Sequence, residues 1–445
     1  MPTSEELLSH QKQPTTAGNY FVANYPPFSF WKPERRGEAL AALDEPPLPA
    51  TALGIYVHLP FCRKRCHFCY FRVYTGAEAK RDRVSSYIDS VLRELELYAA
   101  KPLITGRQPR YVYFGGGTPS FLSPEQLREL VGGMRRILPW DQVEEITFEC
   151  EPGTLDERKL DALRELGITR LSLGVENFDD HVLKSNGRAH LSREIHRSYH
   201  YARRIGFPQI NIDLIAGMLN ETDENWQVSV QKAIDLAPDC VTIYQMEIPF
   251  NTTIYREMHE RGEIVAPVAD WPTKRAWTAY AFEQLERAGY TVTSAYTAVR
   301  DPQQYRFLYR DYLWTGADMV SLGVSSFGHF RGVHYQNEKD FGPYVDRVGR
   351  GELPIHRALA MTEEEKLIRQ VILQLKLGRL DRDYFRGRFG VDVFERFAEP
   401  LEELRRGGHM RLVPEGVSVE RQSLWRIDEL LHVFFLPQHQ NVRYT

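Results

Sequence analysis

Between residue 54 and about residue 290, short and almost wholly apolar runs alternate with longer stretches whose apolar residues return every three or four positions. The runs are Gly54–Leu59, Tyr111–Gly115, Glu145–Cys150, Arg170–Val175, Ile210–Gly217 and Cys240–Met246. Their length and β-branched content predict strands. The amphipathic stretches, at about 81–100, 123–138, 154–166, 192–205 and 222–236, predict helices. Ser123 ahead of Pro124 and Glu125 marks a helix start, and Gly167 and Gly206 follow helix ends. Strands buried on both faces, with helices between them, predict a parallel sheet covered by helices. Six such units suggest a partial (β/α)6 barrel of α/β class; the count also permits a doubly wound open sheet. Either arrangement puts chemistry beyond the C-terminal ends of the strands.

The flanking regions read differently. Residues 1 to about 18 are polar, and residues 19–31 are dense in aromatics with two prolines. Residues 1–50 are therefore taken as an N-terminal extension covering the active site, and 51–300 as the partial barrel. A helix and a short strand, Tyr290–Ser294, close that region. Residues 301–360 form a connecting segment on the substrate side, aromatic and irregular over 301–345. From Met361 three amphipathic helices precede two strand-like pieces, Met410–Val413 and Gly416–Val419. This pattern predicts a small α+β, winged-helix-like module over 361–445.

Composition narrows the function classes. The chain has 445 residues and a formal net charge of −4, with no basic face that would argue for nucleic acid. No apolar run is long enough to cross a bilayer, and the N-terminus lacks a signal-peptide layout, so a cytoplasmic protein is expected. Five cysteines give no disulfide framework. Cys150 and Cys240 fall within strands and read as small core residues.

The other three cysteines follow the first strand in G-I-Y-V-H-L-P-F-C-R-K-R-C-H-F-C-Y-F, as Cys62, Cys66 and Cys69. A structural zinc site closes with four ligands, and a ferredoxin-type cluster takes four cysteines. Three cysteines on a four-iron cluster leave one iron open to a small molecule. A zinc knuckle with His67 as a distant fourth ligand is the competing use. Polar residues gather at the other strand ends. Gly115-Gly116-Gly117-Thr118-Pro119 follows the second strand and suits close approach of a ligand carboxylate. Glu149 ends the third strand and suits a ligand ammonium. Asp213 lies in the otherwise apolar I-N-I-D-L-I and must be paired if buried. Phe68 can pack on an adenine ring, and Arg188 can meet an anionic group or remain a surface residue.

Together these segments resemble one branch of the radical S-adenosylmethionine superfamily, which contains oxygen-independent coproporphyrinogen III oxidases, haem chaperones, and class C methyltransferases and cyclopropanases. The resemblance rests on Y-V-H-L-P-F-C-R-K-R-C-H-F-C, F-G-G-G-T-P-S, E-I-T-F-E-C-E-P, L-S-L-G-V-E-N-F, N-I-D-L-I-A-G and L-G-V-S-S-F-G. It implies a [4Fe–4S] cluster on Cys62, Cys66 and Cys69, one S-adenosylmethionine at the open iron and a second beside it. By position, Tyr56, Gly116, Glu149 and Phe327 resemble contacts of the first molecule. Phe68, Gly117, Thr118, Glu176, Arg188 and Asp213 resemble contacts of the second. Tyr56, His58 and Glu176 are the candidate catalytic residues. The resemblance further implies a reduced flavodoxin or ferredoxin-type electron donor and a small-molecule substrate, large, flat or apolar.

Two departures set the expected reaction. The coproporphyrinogen enzymes carry a further cysteine where this chain has Phe71, and Gln where it has Glu176. The leading expectation is therefore a class C-type enzyme that methylates or cyclopropanates an sp² carbon. Coproporphyrinogen III oxidation and haem trafficking are the alternatives.

Overall fold

The computed structural model describes residues 22, 24–248, 252–260, 269–440 and 442, with backbone alone from 257 to 260. The polar N-terminal residues 1–18, and 19–21 and 23 of the aromatic segment, lie outside the described residues. The chain divides into two compact units, one formed before Trp31 and after Met361, the other by Trp31–Met361.

The larger unit is built on a sheet of twelve strands: β1 Leu53–Leu59, β2 Tyr111–Gly116, β3 Glu145–Cys150, β4 Arg170–Glu176, β5 Gln209–Ala216, β6 Cys240–Gln245, β7 Thr291–Val292, β8 Thr297–Val299, β9 Asp318–Leu322, β10 Phe327–Phe330, β11 Val333–Asn337 and β12 Ile355–Ala360. Their spatial order is β12-β11-β10-β9-β1-β2-β3-β4-β5-β6-β8-β7. Strands β1 to β6 are parallel neighbours in chain order, and β9 runs parallel to β1. This succession is that of a partial barrel; a doubly wound sheet would reverse its strand order partway. Helices Arg81–Ala99, Pro124–Ile137, Glu157–Glu165, Ser192–Arg204 and Asp223–Leu236 connect the strands.

Alternation along each strand sorts the two faces. Val57, Phe114, Phe148, Leu171, Leu173, Ile210 and Ile212 turn outward and are buried beneath the helices. Each such side chain contributes about 1.5–3 kcal/mol. Tyr56, Tyr113, Glu149, Ser172, Asn211, Asp213 and Thr242 occupy the alternate, inward positions. The apolar runs thus hide a polar stripe, and the barrel interior is not a hydrocarbon core. Ser123 caps its helix with Gln126 in a reciprocal pair at 3.2 and 3.0 Å. Gly167 and Gly206, at φ +75° and +73°, end theirs.

Two expectations need correction. Residues 301–345 are ordered, with a helix at Leu308–Trp314 and strands β9 to β11. Arg331 and Gly332, at φ +47° and +76°, form the two-residue turn between β10 and β11. The aromatic content had masked the strand alternation. The strand expected at Tyr290–Ser294 is the shorter β7, paired with β8.

The smaller unit carries helices Glu363–Leu375, Arg382–Phe389 and Ala398–Arg406 and a sheet of β13 Arg379–Asp381, β14 Met410–Val413 and β15 Gly416–Val419, in the order β13-β15-β14. The hairpin falls where the sequence placed it, whereas β13 is too short to read from pattern. Tyr25 joins this unit through His439 Nδ1 at 2.8 Å and the Leu436 amide at 3.1 Å.

Candidate active site

Strand β1 delivers the cysteine loop to the barrel mouth. The loop closes on itself: the Cys62 amide donates to Tyr74 O at 3.0 Å, and the Tyr74 amide to Pro60 O at 2.7 Å. Its middle is docked on the opposite rim. The His67 amide donates to Asn186 O at 3.0 Å, and His67 Nδ1 to Ser185 O at 3.0 Å. Phe68 inserts into an apolar cluster of Val182, Met218, Leu219, Met246 and Ile254. His67 therefore faces the Ser185 carbonyl. Among the described residues, no three His, Cys, Asp or Glu side chains share one metal position. A four-iron cluster asks for no such convergence, because each thiolate takes its own iron.

The sulfurs do have partners. Thr118 Oγ1 donates to Cys62 Sγ at 3.2 Å, and Arg188 Nη1 to Cys66 Sγ at 3.1 Å. Burial pushes the Cys62 thiol up to about 12 and the Cys69 thiol up to about 11. Without iron these groups are inert thiols; coordination itself ionises them. The loop thus fits a thiolate-held cluster.

The glycine turn packs directly beneath it. A Cβ on Gly117 would come within 2.9 Å of Leu59 O and Pro60 C, and one on Gly116 (φ +112°) within 2.6 Å of the His58 ring. The expected free amides are engaged. Gly117 N donates to Leu59 O and Thr118 N to Phe61 O, each at 2.9 Å, while Gly116 N donates to Glu149 Oε2 at 3.2 Å. These glycines serve close packing and hold Glu149.

The remaining candidates line the lumen. Tyr113 donates to Glu149 Oε1 at 2.6 Å. Its ring stacks on Tyr56, and Tyr56 Oη lies 3.3 Å from His58 Nδ1. Burial holds His58 neutral, down to about 4, and its Nε2 has no hydrogen-bond partner among the described residues. Glu176 stands at φ +65° where the β4–β5 register slips, 3.4 Å from Arg188. Asp213 accepts from Ser172 and Asn211, each at 2.8 Å. Burial pushes Glu149 and Glu176 up to about 7, against the pull of Tyr113 on the first and Arg188 on the second; Asp213 is raised by the same cause. Phe327 begins β10, on the far side of β9 from Tyr56, where the Ser321 hydroxyl donates to its carbonyl.

Several site residues were not singled out from the sequence. Tyr244, on the inner face of β6, and Tyr70 are 42% and 44% exposed, and beside them Phe71, already marked by the sequence, is 40% exposed; among the described residues these rings line an aromatic mouth. At the lower end Arg170 is buried, with none of its guanidinium nitrogens hydrogen-bonded among the described residues, under the Phe307 ring at 4.0 Å. Glu145 accepts the Leu308 and Tyr309 amides at 2.9 and 3.1 Å, and Tyr309 packs on Tyr113. Residues 307–309 thereby close the lower lumen. Inward alternation on each strand was the available signal for Tyr113, Arg170 and Tyr244.

Comparison with known proteins follows this geometry. A model of the radical SAM superfamily matches residues 56–233. The oxygen-independent coproporphyrinogen III oxidase of Helicobacter pylori (strain J99) is 30% identical over 373 residues, covering 81% of this chain and 79% of its own. The haem chaperone HemW of Bacillus subtilis (strain 168) is 27% identical over 387 residues, covering 85% and 98%. In fold the chain is similar to the coproporphyrinogen III oxidase of Escherichia coli, with a TM-score of 0.80 at 24% identity over 96% and 98% of the two chains. The expectation of class C methylation or cyclopropanation is overturned by these relatives, which are oxidases and a haem chaperone. Phe71 and Glu176 are single side chains at the mouth; they weigh less than similarity running along most of the chain.

Proposed function

Because the chain belongs to the radical S-adenosylmethionine superfamily and, within it, to the family of oxygen-independent coproporphyrinogen III oxidases, we propose that it oxidatively decarboxylates coproporphyrinogen III. The observation that carries this reading is the 30% identity to the Helicobacter pylori oxidase over 79% of that enzyme. The aromatic mouth of Tyr70, Phe71 and Tyr244 supports it, since a tetrapyrrole offers a broad apolar surface. The protein is a radical S-adenosylmethionine enzyme whose cofactors are a [4Fe–4S] cluster and S-adenosylmethionine. When bound, they supply one-electron chemistry strong enough to remove hydrogen from an unactivated C–H bond.

The chain's own residues bind and orient. Cys62, Cys66 and Cys69 would hold three irons and leave the fourth for the amine and carboxylate of S-adenosylmethionine. Thr118 and Arg188 already donate to two of those sulfurs. Glu149 would accept from an N–H of that amine, its carboxylate aligned by Tyr113 and Gly116. If the Tyr56 hydroxyl donates its hydrogen bond to His58 Nδ1, the neutral imidazole carries hydrogen on Nε2, a donor without a partner among the described residues. Glu176 and Asp213 are acceptors for the N–H groups of a second ligand. A reduced flavodoxin or ferredoxin-type protein would supply electrons, and the enzyme would work in the cytoplasm.

The test is anaerobic reconstitution followed by incubation with coproporphyrinogen III, S-adenosylmethionine and dithionite. Carbon dioxide and protoporphyrinogen are expected, and neither should form with Cys66→Ala. A second reading, haem trafficking, is supported by the match to 98% of the Bacillus subtilis chaperone. It calls for stoichiometric haem binding without turnover of coproporphyrinogen.

A further inference from the structure

Arg188 bridges the lumen and the cysteine loop. One arm of its guanidinium, Nη1, donates to Cys66 Sγ at 3.1 Å. The other, Nη2, donates to Gly174 O at 2.7 Å and lies 3.4 Å from Glu176 Oε1. The two side chains are only 9% and 12% exposed, so their charges are weakly screened by water. The backbone is arranged for this pair. Glu176 takes a left-handed conformation, φ +65°, where the β4–β5 register shifts between Gly174 and Glu176. A Cβ on Gly174 would stand 2.9 Å from Glu176 Oε1 and 3.3 Å from Arg188 Nη2, so a side chain there would crowd the pair. A carboxylate, a guanidinium and a cysteine sulfur therefore form one chain of contacts.

We propose that Glu176 and Arg188 form a charge couple that sets the reduction potential of the cluster through Cys66. This rests on reading Cys62, Cys66 and Cys69 as the cluster's ligands. Hydrogen bonds to ligating sulfur and nearby charge are main determinants of an iron–sulfur potential. The Arg188 donor bond stabilises the reduced, more negative cluster and raises its potential. The Glu176 carboxylate opposes that effect and holds the guanidinium in its forked orientation. The couple thus keeps a cationic donor on Cys66 while limiting how easily the cluster is reduced. Both residues are positioning residues in this role, whatever else they touch.

The experiment is a redox titration at about pH 9, where the Glu176 carboxylate is ionised, monitored by electron paramagnetic resonance on reconstituted protein without substrate, with iron and sulfide counted per chain. Glu176→Gln, nearly isosteric, should keep four irons and shift the midpoint positively. The expected shift is about tenfold in the reduced-to-oxidised ratio at fixed potential, or about 59 mV for one electron. Arg188→Lys, which keeps the charge but loses the fork, should shift it negatively. An unchanged or more negative midpoint in Glu176→Gln, with the cluster intact, overturns the proposal. The underlying ligand reading fails separately, if Cys66→Ala retains four irons.

Discussion

Glu149 meets its surroundings through two groups that act in opposite senses. Burial favours the protonated acid and pushes the group up to about 7, while the Tyr113 hydroxyl stabilises the carboxylate. Tyr113→Phe removes that bond, so the acid should hold its proton to higher pH. A hydrogen bond to a charged group contributes about 1.5–3 kcal/mol. Affinity for S-adenosylmethionine should therefore fall roughly tenfold at pH 7 and recover towards pH 9, as the carboxylate is regained; calorimetric titration of reconstituted protein at both pH values checks this. Cysteine spacing could be read directly because it is local chemistry. The partner of Cys66 could not, since Arg188 lies 122 residues away and reaches it only once the barrel forms. Arg170 was likewise hidden within an apolar run, its inward direction set by strand register.

At the scale of elements, the glycine turn and the helix Arg81–Ala99 hold the site from two sides. Gly117→Ala would drive a methyl group against Leu59 O and the backbone of Pro60 and Phe61. The cysteine loop must move, so iron incorporation should drop severalfold while far-ultraviolet circular dichroism stays native. On the other side, Glu94 is fully buried and accepts from the Gly323 amide, Tyr344 and Asn337 at 2.8, 2.7 and 2.6 Å. It ties the turn before β10 to the helix. Burial pushes it from 4.5 to about 7. The folded chain then holds a proton that the unfolded chain has released, so this group's contribution to stability falls as pH rises from about 4.5 to 7 and levels above. Denaturant unfolding of Glu94→Gln should show that slope reduced by up to about 1.4 kcal/mol per pH unit. The variant should also be weaker overall by about 1–3 kcal/mol, because an amide N–H would face donors. The six parallel strands and their helices were legible from periodicity. The Leu308–Trp314 helix was not, because Glu145, 163 residues earlier, accepts its first amides.

At the scale of the whole molecule, the lumen runs from the aromatic mouth to the lower end closed by Phe307–Tyr309. The fold class was legible because each strand–helix unit repeats one local pattern. The reaction was not, because the expectation was set by two side chains, Phe71 and Glu176, and similarity along most of the chain overturned it. The direct measurement is product analysis after anaerobic incubation of the reconstituted protein with coproporphyrinogen III, S-adenosylmethionine and dithionite. The account predicts protoporphyrinogen and carbon dioxide, lost when Cys66 becomes alanine. A four-iron protein that cleaves S-adenosylmethionine yet leaves coproporphyrinogen III unchanged would contradict it.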